Sequence, residues 1–153
     1  MMRKSKKLAV VFAIAALSLA AVTLALTSET FSHGTREIAS ANLDDILRNN
    51  PLAAGQAARA TPATRVPGAE LQVIEMSKIK LHSHSREDHI VYVARGKGTV
   101  LLDREMRGVK PGDIFMLHKD VPHGFSKSGD ENLILLVIGT PGWKPLEDTK
   151  FYE

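Results

Sequence analysis

Hydrophobic positions change their spacing twice along the chain. Residues 8–26 form a continuous apolar run in which only Ser18 and Thr23 are polar. Residues 28–67 show no sustained period, and from residue 69 onward short aliphatic or β-branched runs alternate with turn residues. The pattern therefore predicts an N-terminal hydrophobic helix, a linker and an all-β domain, in that order.

The first 27 residues have the features of a targeting or anchoring segment. Four basic residues precede the apolar run, which as a helix would extend about 28 Å, close to the ~30 Å thickness of the hydrocarbon core. Cleavage as a signal peptide, after Thr27 or Ser32, and retention as an inner-membrane anchor both agree with this pattern. In either case we expect an exported, periplasmic or otherwise extracytoplasmic domain. It would contact the membrane only through residues 8–26, and only if these are not cleaved.

Residues 28–67 are predicted to form a linker that contains one short helix over residues 43–49. Asn42 can cap the first turn of this helix, where two acidic residues complement the positive end of the helix dipole. An Asn-Asn pair followed by Pro51 ends it. Residues 53–67 are rich in Ala, Gly, Thr and Pro and follow neither the helical nor the strand period, so we expect them to lack regular structure.

The β domain is predicted to span residues 68–141, followed by a C-terminal tail over residues 142–153. Turn sequences rich in Gly, Pro, Asp and Lys separate its aliphatic runs, which is typical of an all-β sandwich or barrel. No segment of helical length alternates with these runs, so a βαβ fold is not expected. Six strands are predicted, over residues 71–76, 79–84, 89–94, 98–102, 114–117 and 133–138, and a further strand begins near residue 123.

Charge and composition exclude several classes of function. The chain has 20 Lys and Arg against 17 Asp and Glu, but the residues from Ser28 onward include 16 basic and 17 acidic ones. Since this part is nearly neutral, we expect no nucleic-acid partner. There is no cysteine, which excludes disulfides, zinc–thiolate sites, iron–sulfur clusters and thiol nucleophiles.

Four histidines of the β domain are candidate metal ligands: His82, His84, His89 and His123. His82 and His84 alternate on one predicted strand, so their rings face the same side. His89 begins the next strand, and His123 begins a distant one. Imidazoles that arrive from separate strands are what a metal site inside a barrel requires. The sequence indicates no catalytic acid or base.

These residues resemble the sequence motifs of the cupin superfamily. The segment HSH at residues 82–84, followed by His89 and Gly96, is similar to the first cupin motif, in which HxH precedes an acid and then a glycine. Gly112 and the later His123 resemble anchor positions of the second motif. The resemblance covers roughly residues 68–141. It implies a double-stranded β-helix, a jelly-roll relative of six to eight strands, with a metal near its mouth.

The sequence departs from the cupin pattern at the fourth ligand. His89 stands where cupins usually have a ligand glutamate, because its distance from Gly96 fixes the alignment; Glu87 and Asp88 are the alternatives. With His89 the site resembles that of the minority four-histidine cupins. His118 is expected to line the mouth or to pack, rather than to bind metal.

Four neutral imidazoles would leave a metal its full divalent charge, which would attract a carboxylate or an enolate. An octahedral ion would keep two free positions and a four-coordinate zinc none, so Mn, Fe or Ni is favoured, with Zn or Cu as alternatives. We expect a small-molecule enzyme of dioxygenase, lyase or isomerase type. The alternative is a non-catalytic metal- or ligand-binding module of the cell envelope. Small single cupin barrels commonly pair through their sheets, so the resemblance also allows a homodimer.

Overall fold

The computed structural model of the protein describes residues 40–141 and 148–152. The predicted N-terminal hydrophobic helix lies outside these residues, so the helix and the export that it implies stay predictions. In the described part of the chain, no helix is both long and apolar enough to cross a bilayer. The elements are α1 (Leu43–Asn49), β1 (Ala58–Val66), β2 (Ala69–Met76), β3 (Lys78–His84), β4 (Asp88–Arg95), β5 (Lys97–Leu102), β6 (Glu105–Val109), β7 (Ile114–Leu117), β8 (His123–Ser128), β9 (Leu133–Thr140) and β10 (Thr149–Phe151).

Two antiparallel sheets of five strands each form the domain. Their strand orders are β1-β2-β9-β4-β7 and β10-β3-β8-β5-β6. Alternate aliphatic side chains of both sheets are buried and form one core, as period-two strands with one apolar face require. The observed class is therefore the predicted all-β one. The core residues are Ile74, Met76, Val91, Val93, Val100, Val109, Leu117, Phe125, Leu133, Leu135 and Val137.

The helix α1 begins with the expected cap. The side-chain oxygen of Asn42 accepts hydrogen bonds from the backbone N–H groups of Asp44 and Asp45, at 2.9 and 3.3 Å. Asp44 also forms an ion pair with Arg95 at the end of β4. The helix lies against β2, so the segment before the sheets is fixed to the domain.

Residues 58–66 differ from the prediction, which assigned them to the linker. They form β1, which pairs with β2 along its whole length. The strand carries Pro62, yet it is an edge strand with only one neighbour, and its register shifts between Pro62 and Thr64. Edge strands and bulges tolerate proline, and the alanines that β1 turns inward give no strong hydrophobic alternation. The β domain therefore starts near residue 58 and not at 68.

The predicted C-terminal tail also contributes to the sheets. Its residues Thr149–Phe151 form β10, in which Thr149 lies opposite His84 and Phe151 opposite His82. A strand of three residues is too short to show a period of two, so no hydrophobic pattern predicted it. With β1, β6 and β10, the described residues contain ten strands rather than six to eight.

The outer face of the first sheet carries a cluster of exposed apolar side chains. Ile90 and Tyr92 on β4 lie opposite Met116 and Ile114 on the edge strand β7, and Ile138 on β9 lies on the other side of Ile90. All five are exposed, and a contiguous apolar surface is less usual than single exposed residues. The homodimer that the resemblance allows stays a prediction.

Two glycines offer a matched test of how closely neighbouring backbone segments approach each other in the domain. Gly96 has φ +76° and a Cβ there would collide with the carbonyl group of Asn132, whereas Gly112 has φ +94° and open space around a Cβ. We expect Gly112→Ala to lower the free energy of unfolding through backbone strain alone, by on the order of 1–3 kcal/mol. Gly96→Ala should lower the free energy of unfolding by about 1–3 kcal/mol more, because its Cβ would also be overpacked. Urea unfolding of both variants measures the difference, and equal losses would contradict the close approach at Gly96.

Candidate metal centre

A bulge in β3 turns the HxH segment towards the interior. Ile79 lies opposite Phe125 and His82 lies opposite His123, so three steps along β3 match two along β8. The extra residue resets the alternation, and both Ile79 and His82 line the cavity between the sheets. Gly124 lies against the bulge, where a Cβ would stand 3.2 Å from the carbonyl oxygen of Ile79.

Three buried imidazoles converge between the sheets. His82 and His84 come from β3 and His123 from β8, and their candidate ligand nitrogens all lie within 4.8 Å of one another. The ring centroids of His82 and His123 are 4.3 Å apart, those of His82 and His84 are 5.0 Å apart. Nitrogen donors at this spacing can bind one transition-metal ion.

Backbone carbonyls determine which ring nitrogen carries the proton in two of these residues. Nδ1 of His82 donates to the carbonyl oxygen of Lys80 at 2.8 Å, and Nδ1 of His123 donates to that of Val121 at 2.9 Å. A carbonyl oxygen can only accept. In each neutral ring the lone pair is therefore on Nε2, and the hydrogen bond from Nδ1 orients the ring as it does in metal-binding histidines.

The third ring is held by the C-terminal strand, which the sequence analysis missed. Nδ1 of His84 lies 3.3 Å from the hydroxyl oxygen of Thr149. Next to it, the carboxylate of Asp148 accepts hydrogen bonds from the Ser85 hydroxyl and from the Arg86 backbone N–H. These contacts connect β10 to the turn after His84, so residues 148–149 support the HxH segment.

His89, the predicted fourth ligand, lines the same cavity but is outside the group of three histidines whose ligand nitrogens lie within 4.8 Å of one another, and it has a different partner. Its ring centroid is 4.7 Å from that of His84 and 6.3 Å from that of His123. Its Nε2 is 3.1 Å from Oε2 of Glu87, and both side chains are buried. When Glu87 is ionised it can only accept this hydrogen bond, and the lone pair of a neutral His89 is then on Nδ1. Two of the three candidates for the fourth ligand, His89 and Glu87, are thus neighbours.

The third candidate, Asp88, points to the surface. Its carboxylate accepts a hydrogen bond from the backbone N–H of Lys119 at 3.0 Å and lies 3.4 Å from Nδ1 of His118. The side chains of His118 and Asp88 are 67% and 46% exposed. Neither residue lines the cavity of the buried imidazoles.

Burial keeps the four imidazoles uncharged. Loss of hydration is the largest cause in each case, and it lowers the pKa of His84 and of His89 to about 4 and that of His123 to about 3. It also lowers the pKa of His82. Neighbouring imidazoles lower the pKa values of His84, His89 and His123 further, because a positive charge on one ring disfavours protonation of the next. The neutral form is the one that binds metal.

The imidazoles line a cavity of about 410 Å³ between the two sheets. Val91, Leu117 and Phe125 are among the side chains that form its walls. Val93 lies within the core and Phe115 packs against that core, and neither lines the cavity. The inward face of a strand follows from its period of two, but which inward side chains border the empty space depends on how the two sheets pack.

Comparison with known proteins agrees with this architecture. The family model of the cupin domain matches residues 71–139. An uncharacterized protein of Methanocaldococcus jannaschii is 34% identical over 85 residues, which cover 56% of this chain and 67% of that protein. The chain belongs to the cupin superfamily. The resemblance inferred from the histidine and glycine spacing is thereby confirmed.

Solved structures share the fold of this cupin. A Klebsiella pneumoniae protein with a double-stranded β-helix domain is 18% identical with a TM-score of 0.62, over 74% of this chain and 96% of that one. A variant of Streptomyces Pac13 with uridine is 15% identical with a TM-score of 0.55, over 63% and 78% of the two chains; Pac13 is described as a nucleoside dehydratase. At these identities the likeness concerns the fold alone.

The lowered histidine pKa values predict how the stability of the metal-free cupin depends on pH. Between about pH 6.5 and pH 4 the unfolded chain binds protons that the folded chain does not, so acidification lowers the free energy of unfolding. Each such histidine contributes up to about 1.4 kcal/mol per pH unit. Urea unfolding in the presence of a chelator, from pH 7 to pH 4.5, measures this slope. A flat profile for the wild type would contradict the buried neutral cluster.

Proposed function

We propose that this cupin binds one divalent transition metal through His82, His84 and His123, with His89 as the fourth ligand, and acts on a small anionic organic molecule. The observation that carries the proposal is the convergence of three buried, neutral imidazoles, two of which have their Nε2 lone pair fixed by a backbone hydrogen bond. Imidazole donors suit Mn, Fe, Ni, Cu and Zn. Mn, Fe or Ni is favoured because a larger coordination number leaves room for a ligand.

Glu87 has a supporting part in this proposal. Its carboxylate is buried and accepts a hydrogen bond from His89, which is the contact that orients metal-binding histidines in many proteins. An anion so close to the cluster also offsets part of the positive charge that a metal would bring. The competing assignment makes Glu87 itself the fourth ligand and His89 its partner.

The reaction proposed is of dioxygenase, lyase or isomerase type. A metal at the histidines would supply a Lewis acid for an oxygen atom of the ligand. Pac13, which shares the fold, is described as a dehydratase, so a barrel of this kind can carry lyase chemistry. The histidines and their partners would hold and orient the ligand in the cavity between the sheets.

A second candidate function is that of a non-catalytic module that captures a metal or a small ligand. One observation favours it: no carboxylate is among the described residues that line the cavity. Apart from the histidines, the lining residues that could transfer a proton are Lys78, Lys80 and Thr149. Turnover of a ligand by the metal-loaded protein would distinguish an enzyme from such a module.

Metal content after exchange with Mn²⁺, Fe²⁺ or Ni²⁺ tests the site. We expect about one equivalent in the wild type and nearly none in a His82→Ala/His84→Ala double variant, because two of the converging donors are lost. His118→Ala is the matched control and should keep full occupancy, since this histidine is exposed outside the cavity. A double variant that folds and retains its metal would contradict the proposal.

The fourth ligand can be tested separately. His89→Glu should retain the metal, because it converts the set to the three-histidine, one-carboxylate set usual in cupins. Glu87→Gln preserves an acceptor for His89 and should weaken metal affinity by only about tenfold. If Glu87 were the ligand, Glu87→Gln would lose the metal while His89→Gln would keep it. Metal titration of these three variants compares the two assignments.

A further inference from the structure

The cavity that contains the histidines is mainly apolar. Its volume of about 410 Å³ is within the range of roughly 300–1,000 Å³ usual for small-molecule sites. Its walls come from both sheets and are aliphatic or aromatic: Ala58, Ala60, Ile74, Met76, Ile79, Val91, Leu117, Phe125, Leu135, Val137 and Phe151. The histidines therefore provide a polar patch within a hydrophobic chamber.

A ligand rich in hydroxyl groups would find few partners along these walls. Apart from the histidines, Thr149 is the one neutral hydrogen-bonding side chain among the described lining residues, and its hydroxyl already lies 3.3 Å from Nδ1 of His84. A hydroxyl group that leaves water without gaining a new partner weakens binding by about tenfold or more. An apolar body gains from the same transfer.

The remaining lining residues favour a negatively charged ligand with a flat or branched body. Lys78 and Lys80 line the cavity and are exposed, so their charges attract an anion. Phe151 also lines the cavity, although its surface is 64% exposed, and its ring centroid lies 5.7 Å from that of His82. An exposed aromatic ring beside the site offers a surface for a second ring or a methyl group.

We infer that the ligand of this site is a carboxylate with an aromatic or branched aliphatic body. Its carboxylate would meet the metal at the histidines, and its body would pack against Ile79, Phe125 and Phe151. The inference rests on the proposed function, because the carboxylate is assigned to the metal. A sugar acid has the same charged group, but its hydroxyl groups would be left without partners along the walls.

Calorimetric titration of the nickel-loaded full chain with three probes tests this ligand class. 3-Phenylpropanoate has both features, gluconate has the carboxylate with a polar body, and 3-phenylpropanol has the apolar body without the carboxylate. We expect 3-phenylpropanoate to bind about tenfold more tightly than either of the others, or better. Gluconate that binds as tightly as 3-phenylpropanoate overturns the apolar body, and 3-phenylpropanol that does so overturns the carboxylate.

A pair of matched variants locates the body of the ligand. Phe151 and Val66 are each 64% exposed on edge strands, but only Phe151 lines the cavity. Phe151→Ala should weaken 3-phenylpropanoate about three- to tenfold, while Val66→Ala should leave its affinity unchanged. Equal effects would overturn the assignment of Phe151.

The nickel content of each sample distinguishes a failure of the proposed function from a failure of the ligand class. A wild-type chain that takes up no nickel or other divalent metal overturns the proposed function, and the ligand class with it. A chain with a full equivalent of nickel and no preference among the probes overturns the ligand class alone. In that case the metal site is retained and the proposed class of ligand is rejected.

Discussion

The structure depends on keeping four imidazoles uncharged where they are buried between the two sheets. A buried polar ring is tolerated only when its N–H has an acceptor. Three of the four rings find a partner two residues earlier in the chain: His82 at Lys80, His89 at Glu87 and His123 at Val121. The orientation of these three rings is therefore a local property of the strand or turn that carries each of them, whereas His84 depends on Thr149 of β10.

The sheets bring the strands together through features of the backbone. The bulge in β3 allows both Ile79 and His82 to face inward, and Gly124 leaves room for it on β8. The strand β10, at the edge of the second sheet, lies directly beside β3 and brings Thr149 and Phe151 to the histidines. Within this strand of three residues, Thr149 thus supports His84 and Phe151 borders the cavity.

Membership of the cupin superfamily accounts for the barrel and the position of the histidines, but one barrel hosts many chemistries. What distinguishes this chain is the surroundings of the cluster. His89 occurs where an acid is usual, the acid Glu87 lies next to it, and the walls are aliphatic over most of the cavity. Under the proposed function, the donor set would determine the charge at the metal and the walls would select the ligand.

The sequence by itself determined the all-β class, the helix at residues 43–49 and the histidines that lie in the cavity. These follow from local signals: a period of two, a cap at Asn42 and the HxH spacing. Tertiary structure alone decided that Asp88 turns to the surface while Glu87 is buried, because the two acids are adjacent at the start of β4 and only long-range packing distinguishes them. It also decided that β1 and β10 complete the sheets. Edge strands are held by a single neighbour and need no hydrophobic pattern of their own, so their pairing cannot be read from their residues.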